Sequence, residues 1–470
     1  MSRVRLALVL WLFSLLPGAV AATAWPHEAS DLAADPAVTW GALPNGLRYA
    51  IRPNAEPQDR VSLRFLVLAG SMHENDRERG LAHFLEHMAF RSTRDHPDGS
   101  LVATLQRLGI GFGPDNTAFT THDYTIYHLE LPDPSTATLG EALGVFRAYA
   151  DGITFAPAEI DRERGVVLSE LATRNVPEAR AQIAQQTALL PRARQVARLP
   201  IGLEGQIRQF QAEDFQAFYD AWYRPERMIL VLVGAVDPAT AEKLITEKFA
   251  SLTARGAPRP EPSPLLDEPV PLKGAPHLFK EPGIIGARVV YERAVPAPAH
   301  PNTRAHWQGE LRTALAFHML QRRLYRMGQA SGASFTTAYV LHGDSLKNWR
   351  INTLLVNCSI VTWNLALRES EQELRRALEF GFTAAELQDA RAHFRAYYEQ
   401  GARSAATQRS EGLATALAHA LAADRVFASA TQIADLMLPW LDDVTLAECH
   451  QALRTAWGDE PPKVYVVSNS

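Results

Sequence analysis

The chain has 470 residues, 47% of them hydrophobic, enough apolar material for two or three domains with real cores. A net charge of −5 without a basic stripe excludes a nucleic-acid binder. The only two cysteines, Cys358 in a strand-like run and Cys449 in a helical one, lack metal-ligand spacing; a disulfide or two buried thiols stay open, with buried thiols favoured.

In chain order, Arg3 and Arg5 precede an apolar run from Leu6 to Leu16, and Ala19-Val20-Ala21 supplies a small-residue cleavage site. Residues 1–21 therefore read as a signal peptide, too short to span a membrane, and no cysteine follows for lipid attachment. The expected mature protein is exported, to the periplasm of a Gram-negative cell, with no membrane span. Val61–Leu68 alternates and then runs apolar like a strand, ended by Ala69-Gly70-Ser71. A helix should follow, capped by Asn75 or Asp76, with Arg77-Glu78-Arg79 as its first turn and Leu81, Phe84, Leu85 and Met88 as its apolar stripe.

That helix carries His83-Phe84-Leu85-Glu86-His87. Positions i and i+4 share one face, so His83 and His87 can hold one metal ion, and Glu86 at i+3 can reach a water beside it. This H-x-x-E-H spacing inverts the usual zinc-peptidase pattern. Two histidines and one carboxylate leave a coordination position open for chemistry. A second predicted helix, Glu159–Glu170, offers that carboxylate. Glu163 and Glu170 lie two turns apart on one face; one can bind the metal while the other braces a histidine, and spacing alone does not choose between them.

Residues 255–280 are rich in proline and predict a stiff linker between a catalytic domain, 40–254, and a second region, 281–470. Phe155-Ala-Pro-Ala-Glu159 and its helix match Phe382-Thr-Ala-Ala-Glu386 and its helix at an offset of 382 − 155 = 227. The offset puts Ala390 opposite Glu163 and Tyr397 opposite Glu170, and the second half has no H-x-x-E-H. It reads as a degenerate copy without the metal site. The predicted fold class is α+β: two related domains, each an antiparallel sheet with helices packed on one side.

Gly80–Phe90 followed by Asp161–Glu170 resembles the pitrilysin/insulysin family of zinc peptidases, which includes the mitochondrial processing peptidases and many bacterial periplasmic members. Leu43–Tyr49, Asn116–Thr120 with Thr125–Tyr127, and Tyr223–Gly234 agree. The resemblance implies a half-clamshell fold and one zinc ion per chain, held by His83, His87 and Glu170. It implies Glu86 as general base, Glu163 as the supporting carboxylate, and Asn116, Thr117 and Ala118 as the strand that receives an extended peptide. The chain departs from the pattern in two places. His87 and Glu170 are 170 − 87 = 83 residues apart, longer than the family spacing, for which an insertion near 132–138 would account. The family's usual Asn-Ala reads Thr117-Ala118 here, with Asn116 one place early.

The implied function is a zinc endopeptidase acting on peptides or unfolded segments; the alternative is a non-catalytic or peptide-binding subunit of a related complex. Family members close two halves around the substrate, and the half without metal contributes an R-x6-Y pair. The comparable stretch here, Arg322–Ser334, has no tyrosine seven places after Arg322, Arg323 or Arg326. The expected partner is a second peptidase half, as a C-terminal continuation or a separate subunit, or else a second copy in a homodimer.

Overall fold

The computed structural model describes residues 24–97, 100–111, 113, 116–191, 193–265, 277–297, 302–345 and 348–469. The leader at 1–21 and the middle of the proline-rich segment lie outside the described residues. The first half contains β1 (Thr39–Ala42), β2 (Arg48–Pro53), β3 (Val61–Val67), α1 (Leu81–Arg91), α2 (Ser100–Arg107), β4 (Asn116–Thr120), β5 (Thr125–Leu131), α3 (Thr136–Asp151), α4 (Pro157–Arg174), α5 (Pro177–Leu189), the short α6 (Arg194–Ala197) and α7 (Glu204–Ile207), α8 (Ala212–Trp222), β6 (Met228–Gly234) and α9 (Pro238–Phe249). The second half contains β7 (His277–Lys280), β8 (Ala287–Pro296), α10 (Arg304–Gly328), β9 (Phe335–Ser345), β10 (Trp349–Cys358), α11 (Trp363–Phe380), α12 (Ala384–Ser404), α13 (Ser410–Ala422), α14 (Ala430–Asp443), α15 (Leu446–Trp457) and β11 (Lys463–Ser468).

The strands form two sheets in the orders β1-β2-β6-β3-β5-β4 and β7-β11-β8-β10-β9. Read from β2 and from β7, the two orders match strand for strand. Each sheet has one parallel pair, β2 with β6 and β11 with β7, and is otherwise antiparallel. The sheets are therefore mixed, not purely antiparallel as expected, because β6 and β11 return from across the domain instead of by a hairpin. The helix pair α3–α4 recurs as α11–α12, displaced by 363 − 136 = 227 and 384 − 157 = 227 residues. β7 begins at 277, so the end of the proline-rich segment is part of the second sheet and not linker. The β5–α3 and β10–α11 connections, 132–135 and 359–362, are equally long.

Each half packs its own core helices on one face of its sheet, as expected, and the other half covers the opposite face. Leu63, Phe65 and Val67 of β3 face a core shared with α1, α3 and α8. Leu66, with Ile229, Val231 and Val233 of β6, faces the other way, onto Leu413, Leu417, Ala418 and Leu421 of α13. Every residue of β3 is therefore buried, Arg64 included. Arg64 pairs with Glu130 at 2.6 Å and donates to the Glu411 carbonyl and Thr415 Oγ1 at the start of α13. Reciprocally, Leu189 at the end of α5, with Leu190 and Ala193 after it, packs on Val290, Trp349 and Tyr465 of the second sheet. Each half thus covers the back of the other's sheet with the helical segment that follows its α3–α4 or α11–α12 pair. Cys358 and Cys449 are free and buried. No helix among the described residues is long and apolar enough to cross a membrane.

Candidate metal centre

α1 starts four residues later than its sequence suggests. Asn75 takes the amide of Arg77 in a local turn, and the helix opens at Leu81 behind Gly80, whose φ is +99°. The cap comes from Glu74: its carboxylate accepts from the amides of Gly80 and Ala82 at 3.0 and 2.9 Å, beside the positive end of the helix. A Cβ on Gly80 would lie 2.8 Å from the Cα of Gly202, so the crossing of the 199–203 loop over this end requires glycine. Leu81, Phe84, Leu85 and Met88 then bury completely, which turns His83, Glu86 and His87 toward α4 and β4.

α4 supplies the carboxylates. His83 Nε2 and His87 Nε2 lie 3.6 and 3.3 Å from Glu170 Oε2. His87 Nδ1 is hydrogen-bonded to Glu163 Oε1 at 2.8 Å, and Arg91 stands 3.2 Å from that carboxylate's other oxygen. Ligand atoms of His83, His87 and Glu170 all lie within 4.8 Å of one another, and this is the one such group among the described residues. Donors on a tetrahedral zinc ion stand about 3.3 Å apart. Both histidine–carboxylate separations fit that figure, and the donor set of two imidazole nitrogens and one carboxylate oxygen suits zinc better than calcium or magnesium.

The electrostatics agree with a cation site. Burial, reinforced by neighbouring His87, lowers His83 to about 4, so its ring is neutral. Burial opposes charge on His87 too, but hydrogen bonds to Glu163 and Glu170 outweigh it and raise that ring to about 9. The hydrogen bond to His87, with His83 and Arg174 nearby, holds Glu170 down to about 2. Burial lifts Glu86 to about 7 against the hydrogen bond it receives from Thr120 Oγ1 at 2.7 Å. These values belong to the metal-free protein; a divalent cation beside Glu86 pulls its carboxyl back down.

A cleft of about 540 Å³ opens over these groups, lined by α1, α4 and β4. β4 is the edge strand of its sheet and pairs only with β5. Thr117 and Ala118 border the cleft, whereas Asn116 is placed only by its backbone pairing with Leu129. Reading the sequence did not single out Thr120, Arg91 or Arg174. Arg91 follows His87 by one helical turn, a signal that could have been used. Thr120 reaches Glu86 only through sheet register.

A family profile described as insulinase, peptidase family M16, matches residues 49–203, and one described as the peptidase M16 inactive domain matches 209–394. The chain belongs to the M16 insulinase peptidase family. Among M16 relatives, the probable zinc protease PqqL of Escherichia coli K12 is 35% identical over 243 residues, 52% of this chain and 25% of that protein. The chloroplastic stromal processing peptidase of Oryza sativa subsp. japonica is 26% identical over 415 residues, 76% of this chain and 32% of the peptidase. These matches thus cover only about a quarter to a third of those relatives. The crystal structure of the first half of the periplasmic protease PqqL from E. coli superposes with a TM-score of 0.82 at 25% identity, covering 93% of both chains. In the structure of PqqL itself the match has a TM-score of 0.81 and takes up 48% of that chain. The expected family and two-domain M16 fold are both met.

Proposed function

We propose that this chain is the metal-bearing half of an exported zinc endopeptidase that cleaves peptides or unfolded segments. The observation that carries this reading is the convergence of His83 Nε2, His87 Nε2 and Glu170 Oε2 from two helices, with Glu86 next to them. A zinc ion held there supplies Lewis-acid polarisation of a peptide carbonyl and a lowered pKa for its water. Glu86, beside the metal ligands on the same helix, takes the proton from the attacking water and returns it to the leaving amine. Glu163 accepts from His87 Nδ1, which fixes the tautomer that presents Nε2. Substrate lies extended along β4, adding to the free edge at Asn116, Thr117 and Ala118 through main-chain hydrogen bonds. A second half closes over the cleft and brings donors for the carbonyl oxygen. That partner is supported by PqqL, whose chain is about twice the matched length. Export is supported by the leader-like residues 1–21 and by the description of PqqL as periplasmic.

The test is zinc analysis with a peptidase assay on the mature chain, alone and mixed with the C-terminal half of a PqqL-like protein. About one zinc per chain is expected, lost in His83→Ala, His87→Ala and Glu170→Gln but retained in Glu86→Gln, which has no turnover. Adding the second half should raise activity by about a hundredfold to a thousandfold, the worth of oxyanion donors. Loss of zinc in Glu163→Gln with full occupancy in Glu170→Gln would reverse the carboxylate roles. Full activity of the isolated monomer would remove the need for a partner.

A further inference from the structure

Behind Glu86 lies a buried chain of hydroxyl groups with no part in the reading above. Thr120 Oγ1 donates to Glu86 Oε2 at 2.7 Å and sits 3.2 Å from Thr125 Oγ1. Thr125 Oγ1 donates to the carbonyl of Ala69 at 3.1 Å, and the hydroxyls of Tyr223 and Tyr127 meet at 2.8 Å. Thr125, Tyr127 and Tyr223 are each at most 1% exposed. Glu86 Oε1 has no protein partner among the described residues, and Glu86 lines the cleft.

We propose that Thr120 is the positioning residue for Glu86: its hydroxyl locks one carboxylate oxygen and leaves Oε1 as the oxygen that meets a cleft water. A carboxylate oxygen held by a hydroxyl on a paired strand has one arrangement, and a base held in one arrangement spends no reorganisation during the reaction. Thr120 and Thr125 are register partners at the neck of the β4–β5 hairpin, whose turn is closed by the Thr121 amide on the Tyr124 carbonyl at 2.8 Å. The strand that receives substrate is thus the strand that aims the base.

This rests on Glu86 acting as the base, so the test has an arm independent of turnover. Thr120→Val keeps the shape and removes the hydroxyl; Thr120→Ser keeps the hydroxyl. In the zinc-loaded protein assayed with its second half, Thr120→Val should lower kcat by about tenfold to a hundredfold, with KM, zinc content and Tm near those of the parent. Thr120→Ser should recover most of the loss. Crystals of zinc-loaded Thr120→Val should show the Glu86 carboxylate rotated or split between conformers. Should Thr120→Val fold poorly, Thr120→Ala is read the same way. An unchanged kcat, equal losses in the Val and Ser variants, or an unmoved Glu86 each overturns the proposal. If Glu86→Gln proves fully active, the general-base reading fails, while the crystals still decide whether Thr120 holds that carboxylate.

Discussion

Glu163 and Glu170 are both acids on one face of α4, yet their partners separate them. Glu163 is 6% exposed and faces Nδ1 of His87; Glu170 is half-buried and faces Nε2 of both histidines. A proton on His87 therefore competes with a metal ion, and the two carboxylates that raise that ring to about 9 strengthen the competition. His83 at about 4 and Glu170 at about 2 are already in their metal-binding states at pH 6. Zinc binding at pH 6 to Glu86→Gln, where the carboxyl of Glu86 is out of the count, should release about one proton per ion, all from His87. Calorimetry in buffers of different ionisation heat measures it. Since the competing group titrates near 9, apparent zinc affinity should climb as pH rises toward 9 and level off above it. Glu163→Gln removes one of the groups that raise His87, so the plateau should begin at lower pH. Its height should fall by about tenfold to a hundredfold, because the tautomer is no longer fixed. Competition with a zinc chelator across pH reports both changes.

At the scale of elements, the sequence marks periodic, local features and misses those made by distant chain. The α1 stripe, the i, i+4 histidines and the two-turn spacing of Glu163 and Glu170 are statements about one helix, and the structure contains those helices. The start of α1 was misread because its cap, Glu74, folds back over six residues instead of occupying the usual position before the helix. Thr120 was invisible because it meets Glu86 across 34 residues of sequence, through a strand and a hairpin. The all-buried pattern of β3 hints at a sheet covered on both faces, yet it cannot reveal that the second cover arrives from α13, about 350 residues later. α13 gives the element-scale prediction. Leu417 is fully buried against the first sheet, and Leu417→Ala should destabilise the protein by about 2–5 kcal/mol in denaturant melts. A fragment ending at residue 254 leaves the same face bare and should bind a hydrophobic dye and aggregate.

At the scale of the molecule, the two halves share a frame but not a chemistry. The second half has its own groove of about 940 Å³, lined by α10, the edge strand β9 and α12 as the first is by α1, β4 and α4. Where Thr120 pairs with Thr125 in the first sheet, His342 pairs with Asn352 in the second, and His342 also reaches Glu310 at 3.3 Å. Tyr397 stands in the groove at the place that the 227-residue offset assigns to Glu170, and no metal-ligating trio forms there among the described residues. The N-terminal end of the described chain is anchored: Trp25 is buried, with the Arg48 guanidinium 5.0 Å from its ring centre. Cleavage after Ala21 would leave that anchor intact. The mature protein should begin at Ala22 or within a few residues of it, as N-terminal sequencing of the periplasmic fraction would show; Met1 retained on a cytosolic protein would contradict export.

The reciprocal cover by α5 and α13 makes the chain resemble two protomers that have exchanged arms and then been spliced end to end. In such a tandem the second copy cannot be trimmed away as a spent duplicate, since its α13 roofs the first.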